Sequence, residues 1–217
     1  MIRTLLPLLV ASTLAFPQAA DYANKNYKTK EGRERLAQTL GAHSREQTQK
    51  PEELVAALKL APGMTVADIG TGVGFMLPFL TKAVGDTGKV IGEDIFPDFL
   101  EKAKQRAQEK GLANVEFVLG TEKDPKLPAG AVDVILVLDA YHHFDYPAEM
   151  LAGLRAALKP GGRLAIVDFY KEGFNDPKHI RLDEADLGKE ITAHGFELIS
   201  SGPFVEKRQY ISIFRKK

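Results

Sequence analysis

Two strand-like segments near the C-terminus, FELISS at 196–201 and QYISIF at 209–214, are separated by only the seven residues GPFVEKR. A parallel crossover takes a dozen or more residues, so these two segments pair antiparallel. Upstream the pattern is different. Short apolar runs at Met64 to Ile69, Lys89 to Ile95, Val115 to Leu119, Val132 to Asp139 and Arg163 to Phe169 alternate with helical stretches. Those stretches run from about Phe75 to Val84, Pro97 to Lys110, about Pro147 to Leu158 and about Asp183 to His194. Such alternation builds a parallel sheet with helices on both faces. VDVILVLD is apolar on both faces, as a central parallel strand must be. The expected fold is α/β, a three-layer sandwich whose mostly parallel seven-stranded sheet ends in an antiparallel pair.

A chain of 217 residues buries one substantial core. That core is expected in a domain spanning 49–217, opened by a helix from Pro51 to about Leu60. Residues 21–48 are polar and read as a surface arm with one helix around Arg33 to Leu40. Residues 1–20 carry Arg3, an apolar run from Leu5 to Phe16 and the small residues Ala19 and Ala20. That order is the secretory leader pattern. The expectation is export to the periplasm or beyond with cleavage near Ala19 or Ala20, an uncleaved membrane tether being the alternative. The 29 basic and 29 acidic side chains cancel, so no general attraction to nucleic acid or anionic lipid is expected. The absence of cysteine excludes disulfides, thiolate catalysis and zinc-thiolate centres. Oligomeric state is not written in the sequence.

The first strand runs into VADIGTGVGFML, with glycines at 70, 72 and 74. A strand, a glycine turn and a helix N-terminus together make a ligand site, because backbone N–H groups are free and approach is close. A phosphate P-loop would end in Lys and Ser/Thr, and this loop ends GFML. The dinucleotide fingerprint would put glycine or alanine where Phe75 stands. Asp68 places a carboxylate before the turn, repulsive to a diphosphate and attractive to a cation. S-adenosylmethionine carries an ammonium and a sulfonium and no phosphate. Asp94 ends the second strand, where a carboxylate accepts from ribose hydroxyls. Capping of local backbone is the competing role for both acids.

VADIGTGVGFML resembles motif I of the class I S-adenosylmethionine-dependent methyltransferases. GKVIGEDIFPDFLEKAKQRA is similar to their second motif, with Glu93 beside Asp94, and NVEFVLGTEKDPKLPAGAVDVILVLDAYHHF and ALKPGGRLAIVDF resemble later ones. The resemblance covers about 49–215 and implies a Rossmann-like fold and S-adenosylmethionine as cofactor. It implies that Asp68, Gly70, Thr71, Gly72 and Gly74 hold the methionine end, that Asp94 holds the ribose, and that Asp139 borders the cofactor. The family commonly has an acid or amide near the adenine after the third strand; this chain has Thr121 and Glu122 there. The implied reaction is in-line methyl transfer to a small-molecule acceptor. A binding module without turnover, or a nicotinamide-dependent oxidoreductase, is the alternative.

Methyl transfer from a sulfonium depends mainly on alignment and exclusion of water, and needs a base only for a protonated acceptor. The acceptor belongs over the end of the fourth strand, which reads Asp139-Ala140-Tyr141-His142-His143. His142, His143 and Tyr141 are the catalytic candidates, with packing at the strand end as the competing role. No metal centre is expected, because adjacent residues of an extended chain point to opposite sides. His179 and Arg181 lie in a charged loop that either faces substrate or is solvated. His194 sits at a helix end, where it complements the dipole.

Overall fold

The computed structural model describes residues 18–217; most of the leader-like segment lies outside the described residues. Among the described residues no helix is long and apolar enough to cross a membrane. The strands are β1 (Thr65–Ile69), β2 (Lys89–Asp94), β3 (Val115–Leu119), β4 (Val132–Leu138), β5 (Leu158–Phe169), β6 (Phe196–Val205) and β7 (Gln209–Lys216). They form one sheet in the order β3-β2-β1-β4-β5-β7-β6. β1 to β5 pair in parallel, and β7 runs antiparallel between β5 and β6. The short GPFVEKR link thus has the consequence expected of it. β5 begins at Leu158 rather than Arg163, because Leu158 already pairs with Val132 ahead of a shift in register.

The helices are α1 (Lys30–Leu40), α2 (Arg45–Gln49), α3 (Pro51–Leu58), α4 (Leu77–Val84), α5 (Pro97–Glu109), α6 (Pro147–Ala157) and α7 (Glu184–Ala193). Proline opens α3, α5 and α6, where its missing N–H leaves no intrahelical bond unmade. β4 shows why the sheet is covered twice. Ile135 and Val137 pack into a cluster with Leu151, Leu154, Leu187 and Ile191, while Val134 and Leu136 face Leu54, Leu58, Leu77 and Leu80. Successive side chains of one strand supply two separate cores.

The polar arm does more than cover surface. It contains α1, α2 and a 3-10 turn at Ala23–Tyr27, and folds over the C-terminal ends of the strands. The Arg33 guanidinium binds Asp98 of α5 at 2.8 Å and lies over the Phe96 ring. Tyr27 stacks on Phe96 at 5.7 Å.

Candidate active site

The strand order reverses between β1 and β4, and the crevice beyond their C-terminal ends is the usual ligand position in such sheets. A cavity of about 250 Å³ lies there, roofed by the arm. Gly70 and Gly74 adopt φ of 67° and 76°. A Cβ on Gly70 would stand 2.8 Å from the Cβ of Ala140, and one on Gly74 would stand 2.8 Å from Leu77 and 3.2 Å from Ala103 of α5. Gly70 therefore lets the loop close against the end of β4, and Gly74 lets α5 approach. Gly70, Thr71 and Gly72 line the cavity; Gly74 and Asp68 stand behind its wall. Asp68 is buried, accepts from the Thr71 hydroxyl at 2.7 Å, and has its carboxyl pushed up to about 6 by burial.

Asp94 lines the cavity and also braces the loop. One of its oxygens accepts from the Gly72 N–H at 2.9 Å and the other from the Phe96 N–H at 3.0 Å. Burial pushes its carboxyl up to about 6 against those hydrogen bonds. Beside it, Glu93 is 1% exposed and also borders the cavity. Its Oε2 accepts a long bond of 3.4 Å from the Gly70 N–H, and its Oε1 has no partner among the described residues. Burial, then the neighbouring Asp94, raises this carboxyl well above the ordinary range. A Cβ on Gly120 would lie 1.8 Å from Glu93 Oε1, so glycine there makes room for Glu93. The sequence signal was a second acid beside Asp94 at the end of the strand. Thr121 and Glu122 are exposed at the rim of the cavity.

At the other end, Asp139 adopts φ of 53° and its carboxylate gathers three donors. Arg45 Nη2 of α2 reaches it at 3.3 Å, with Gln49 Nε2 and Gln209 Nε2 of β7 beside it. Burial raises the Asp139 carboxyl despite Arg45. Tyr141 points away from the cavity: its hydroxyl donates to Glu190 of α7 at 2.6 Å. Arg181 grips the same Glu190 at 2.6 and 2.8 Å, so both side chains anchor α7. His194 Nδ1 meets the Glu190 carbonyl at 2.7 Å, at the helix end as expected.

Tyr141–His143 is a 3-10 turn rather than extended chain. The expected divergence of His142 and His143 therefore fails, and their rings lie 4.1 Å apart. His143 lines the cavity, whereas His142 is buried behind it, its Nδ1 2.6 Å from Asp168 Oδ1. Burial depresses the His142 pKa, but Asp168 outweighs it and the net shift is upward. His143 is held well below its ordinary value by burial and by His142 and His179. Its Nδ1 is 2.8 Å from Asn24 Oδ1 of the arm. Sequence reasoning missed Asn24 and Arg45, whose polar surroundings resemble any solvated stretch.

The profile of the methyltransferase domain family matches residues 60–215. An arsenite methyltransferase of Halobacterium salinarum is 29% identical over 165 residues, covering 70% of this chain and 42% of that protein. A ubiquinone/menaquinone biosynthesis C-methyltransferase of Burkholderia cenocepacia is 32% identical over 117 residues, covering 54% and 48%. The chain spans less than half the length of these curated relatives. A crystal structure of an S-adenosylmethionine-dependent methyltransferase from Aquifex aeolicus superposes with a TM-score of 0.79 at 30% identity, covering 83% of this chain and 97% of that one. Since both the profile and a counterpart matched over nearly its whole length agree with the loop and its acids, the chain belongs to the class I S-adenosylmethionine-dependent methyltransferase family, with S-adenosylmethionine as cofactor.

Proposed function

We propose that this protein transfers a methyl group from S-adenosylmethionine to a small-molecule acceptor held between the glycine loop and the turn after β4. The observation that carries this reading is the uncompensated charge of the cavity wall. Its basic side chains are matched by acids: Lys28 by Asp21, Arg33 by Asp98 and Arg45 by Asp139. Glu93 and Asp94 accept only backbone N–H bonds among the described residues. The unmatched negative group at the loop is Asp94, which at about 6 is ionised at neutral pH and suits a cationic ligand. A carboxylate oxygen has two acceptor sites, so Asp94 retains capacity for ribose hydroxyls. The orphaned Glu93 Oε1 supplies a further polar contact.

The bound cofactor supplies an electrophilic methyl group on a sulfonium. The chain supplies alignment and a dry site. Gly70, Thr71 and Gly72 present backbone on one side, and Leu40, Tyr27 and Arg45 close the arm over the other. A cavity roofed by the arm favours a small acceptor over a polymer. The arsenite and quinone-precursor chemistry named for the two relatives supports the same class. The order of basic, apolar and small residues in 1–20 supports export, which mass spectrometry of the mature N-terminus tests; an intact leader on cytosolic protein overturns it.

Titration calorimetry with S-adenosylhomocysteine and with NAD separates methyl transfer from hydride transfer; no heat with the first overturns the reading. Labelled S-adenosylmethionine is then offered with phenolic, quinol, thiol and arsenite acceptors. Cofactor binding with no labelled product from any of them returns the protein to a binding module.

A further inference from the structure

We infer that His142, His143 and His179 form a binding site for one divalent transition-metal ion of the zinc class. The three come from two segments that fold onto each other, the turn after β4 and the 3-10 turn Pro177–His179. Each can bring one ring nitrogen within 4.8 Å of the others. The ring of His179 lies 5.1 Å from that of His142 and 5.2 Å from that of His143. A tetrahedral ion with bonds of about 2.0–2.1 Å holds its nitrogens about 3.3 Å apart, so side-chain shifts of roughly 1.5 Å or less complete the geometry.

The second observation is the pair of groups behind the rings. A metal-binding histidine almost always gives its other N–H to a carboxylate or carbonyl, which fixes the tautomer and aims the free nitrogen. Asp168 takes this role for His142, at 2.6 Å from Nδ1. The carboxylate is itself fixed, accepting the N–H of His142 at 3.1 Å and of Phe169 at 2.8 Å. For His143 the partner is Asn24. Its Nδ2 donates to the His143 carbonyl and to Asp145, each at 3.1 Å, so its Oδ1 is the acceptor and His143 Nδ1 carries the proton. Both rings thus keep Nε2 for a ligand. Phe174 stacks on His179 at 4.7 Å and 12°, fixing the plane of that ring.

The donor set decides the class of ion. Three imidazoles and no carboxylate suit zinc and its neighbours, and do not suit magnesium or calcium, which take oxygen ligands. Three protein ligands leave a four-coordinate ion one open position, as in catalytic rather than structural sites. His143 is the member on the cavity wall, so that position belongs to water or to a deprotonated oxygen or sulfur of an acceptor. An ion here takes the Nε2 lone pair with which His143 would otherwise act as a base. It would lower the pKa of a bound hydroxyl or thiol instead.

The test uses the tag-free chain, dialysed after addition of zinc or cobalt. Elemental analysis of the wild type is expected to find one ion per chain, and the cobalt form to show the strong visible bands of four-coordinate cobalt. His142→Gln and His179→Gln should each weaken affinity more than tenfold, and Asp168→Asn, one shell out, by about 10–100-fold. His179 is half-buried on a surface turn, so its variant keeps the fold and decides the question if the His142 variant does not fold. No retained ion in the wild type, or an affinity within tenfold of wild type in either folded histidine variant, overturns the proposal. Metal content is read without turnover, so its failure is separate from a failure of methyl transfer.

Discussion

The two ends of the cavity are built differently. At β1 and β2 the wall is backbone and carboxylate from a few consecutive residues, Gly70 to Gly72 and Glu93 with Asp94. At β4 it is side chains drawn from distant segments: Asn24 and Arg45 from the arm and Asp139 and His143 from the strand end, with Gln49 of α2 and Gln209 of β7 holding the Asp139 carboxylate from behind. A cofactor common to a whole family can be held by backbone, which every sequence possesses. An acceptor particular to one enzyme needs side chains, and side chains from several segments hold position only if those segments are tied together.

Asp139 is the tie, and its loss should be the most damaging change. Asp139→Ala leaves Arg45 and the Gln49 and Gln209 amides without their common acceptor, and asks alanine to adopt a φ of 53°. Removing one partner of a largely buried pair costs roughly 3–5 kcal/mol. Urea unfolding at neutral pH measures it, and a cost below about 1 kcal/mol would show that the arm is held independently of the hub.

Asp94→Asn probes the other end. The folded-state carboxyl sits at about 6 against an ordinary 3.8. The protonated form is therefore favoured by folding; this contribution is fully present below pH 3.8 and is lost as pH rises through 6. Asparagine never ionises, so its stability relative to wild type should improve from pH 4 to pH 7, by up to about 3 kcal/mol at 1.36 kcal/mol per unit. Melting temperatures of both proteins across that range give the sign. Affinity for S-adenosylhomocysteine should fall by about 1–3 kcal/mol, because the charged acceptor is gone. Unchanged affinity would remove Asp94 from the cofactor site.

Asn24→Ala should cost about 1–2 kcal/mol, since it strips the partner from the N–H of the half-buried His143 and frees the start of the arm. Hydrogen exchange then localises the effect. Faster exchange confined to Ala23–Tyr27 and the turn at Tyr141–His143 is the expected result, and uniform loss across the sheet would contradict it.

This contrast also explains what could be read without a structure. The glycine loop, Asp94 and the terminal antiparallel pair follow from local spacing and were legible. Asp68 and Gly74 belong to the same motif, but the residues that shape a loop need not face its ligand, and spacing does not distinguish the two roles. Tyr141, His142 and His143 were visible as residue types. Their directions were not, because a 3-10 turn and extended chain send neighbours to different places and nothing local selects between them. The roles of Asn24, Arg45 and His179 depend on partners dozens of residues away, and a polar arm over a cavity has the same composition as one in water.

The smallest effects distinguish a latch from an ornament. Arg33 Nε reaches both oxygens of Asp98, at 2.8 and 3.1 Å, its Nη1 donates to the Tyr27 carbonyl, and its plane lies over Phe96. Lys89 and Glu116 pair at 2.7 Å with side chains 48% and 59% exposed. The distances are similar, but solvent screens the second pair and nothing else depends on it. Arg33→Lys keeps the charge and loses the planar fork, so it should cost about 1 kcal/mol. Lys89→Ala should stay within about 0.5 kcal/mol of wild type. Equal losses for the two would mean that Arg33 is one more surface charge, and that the arm's closure over the cavity rests on Asp139 and Asn24 alone.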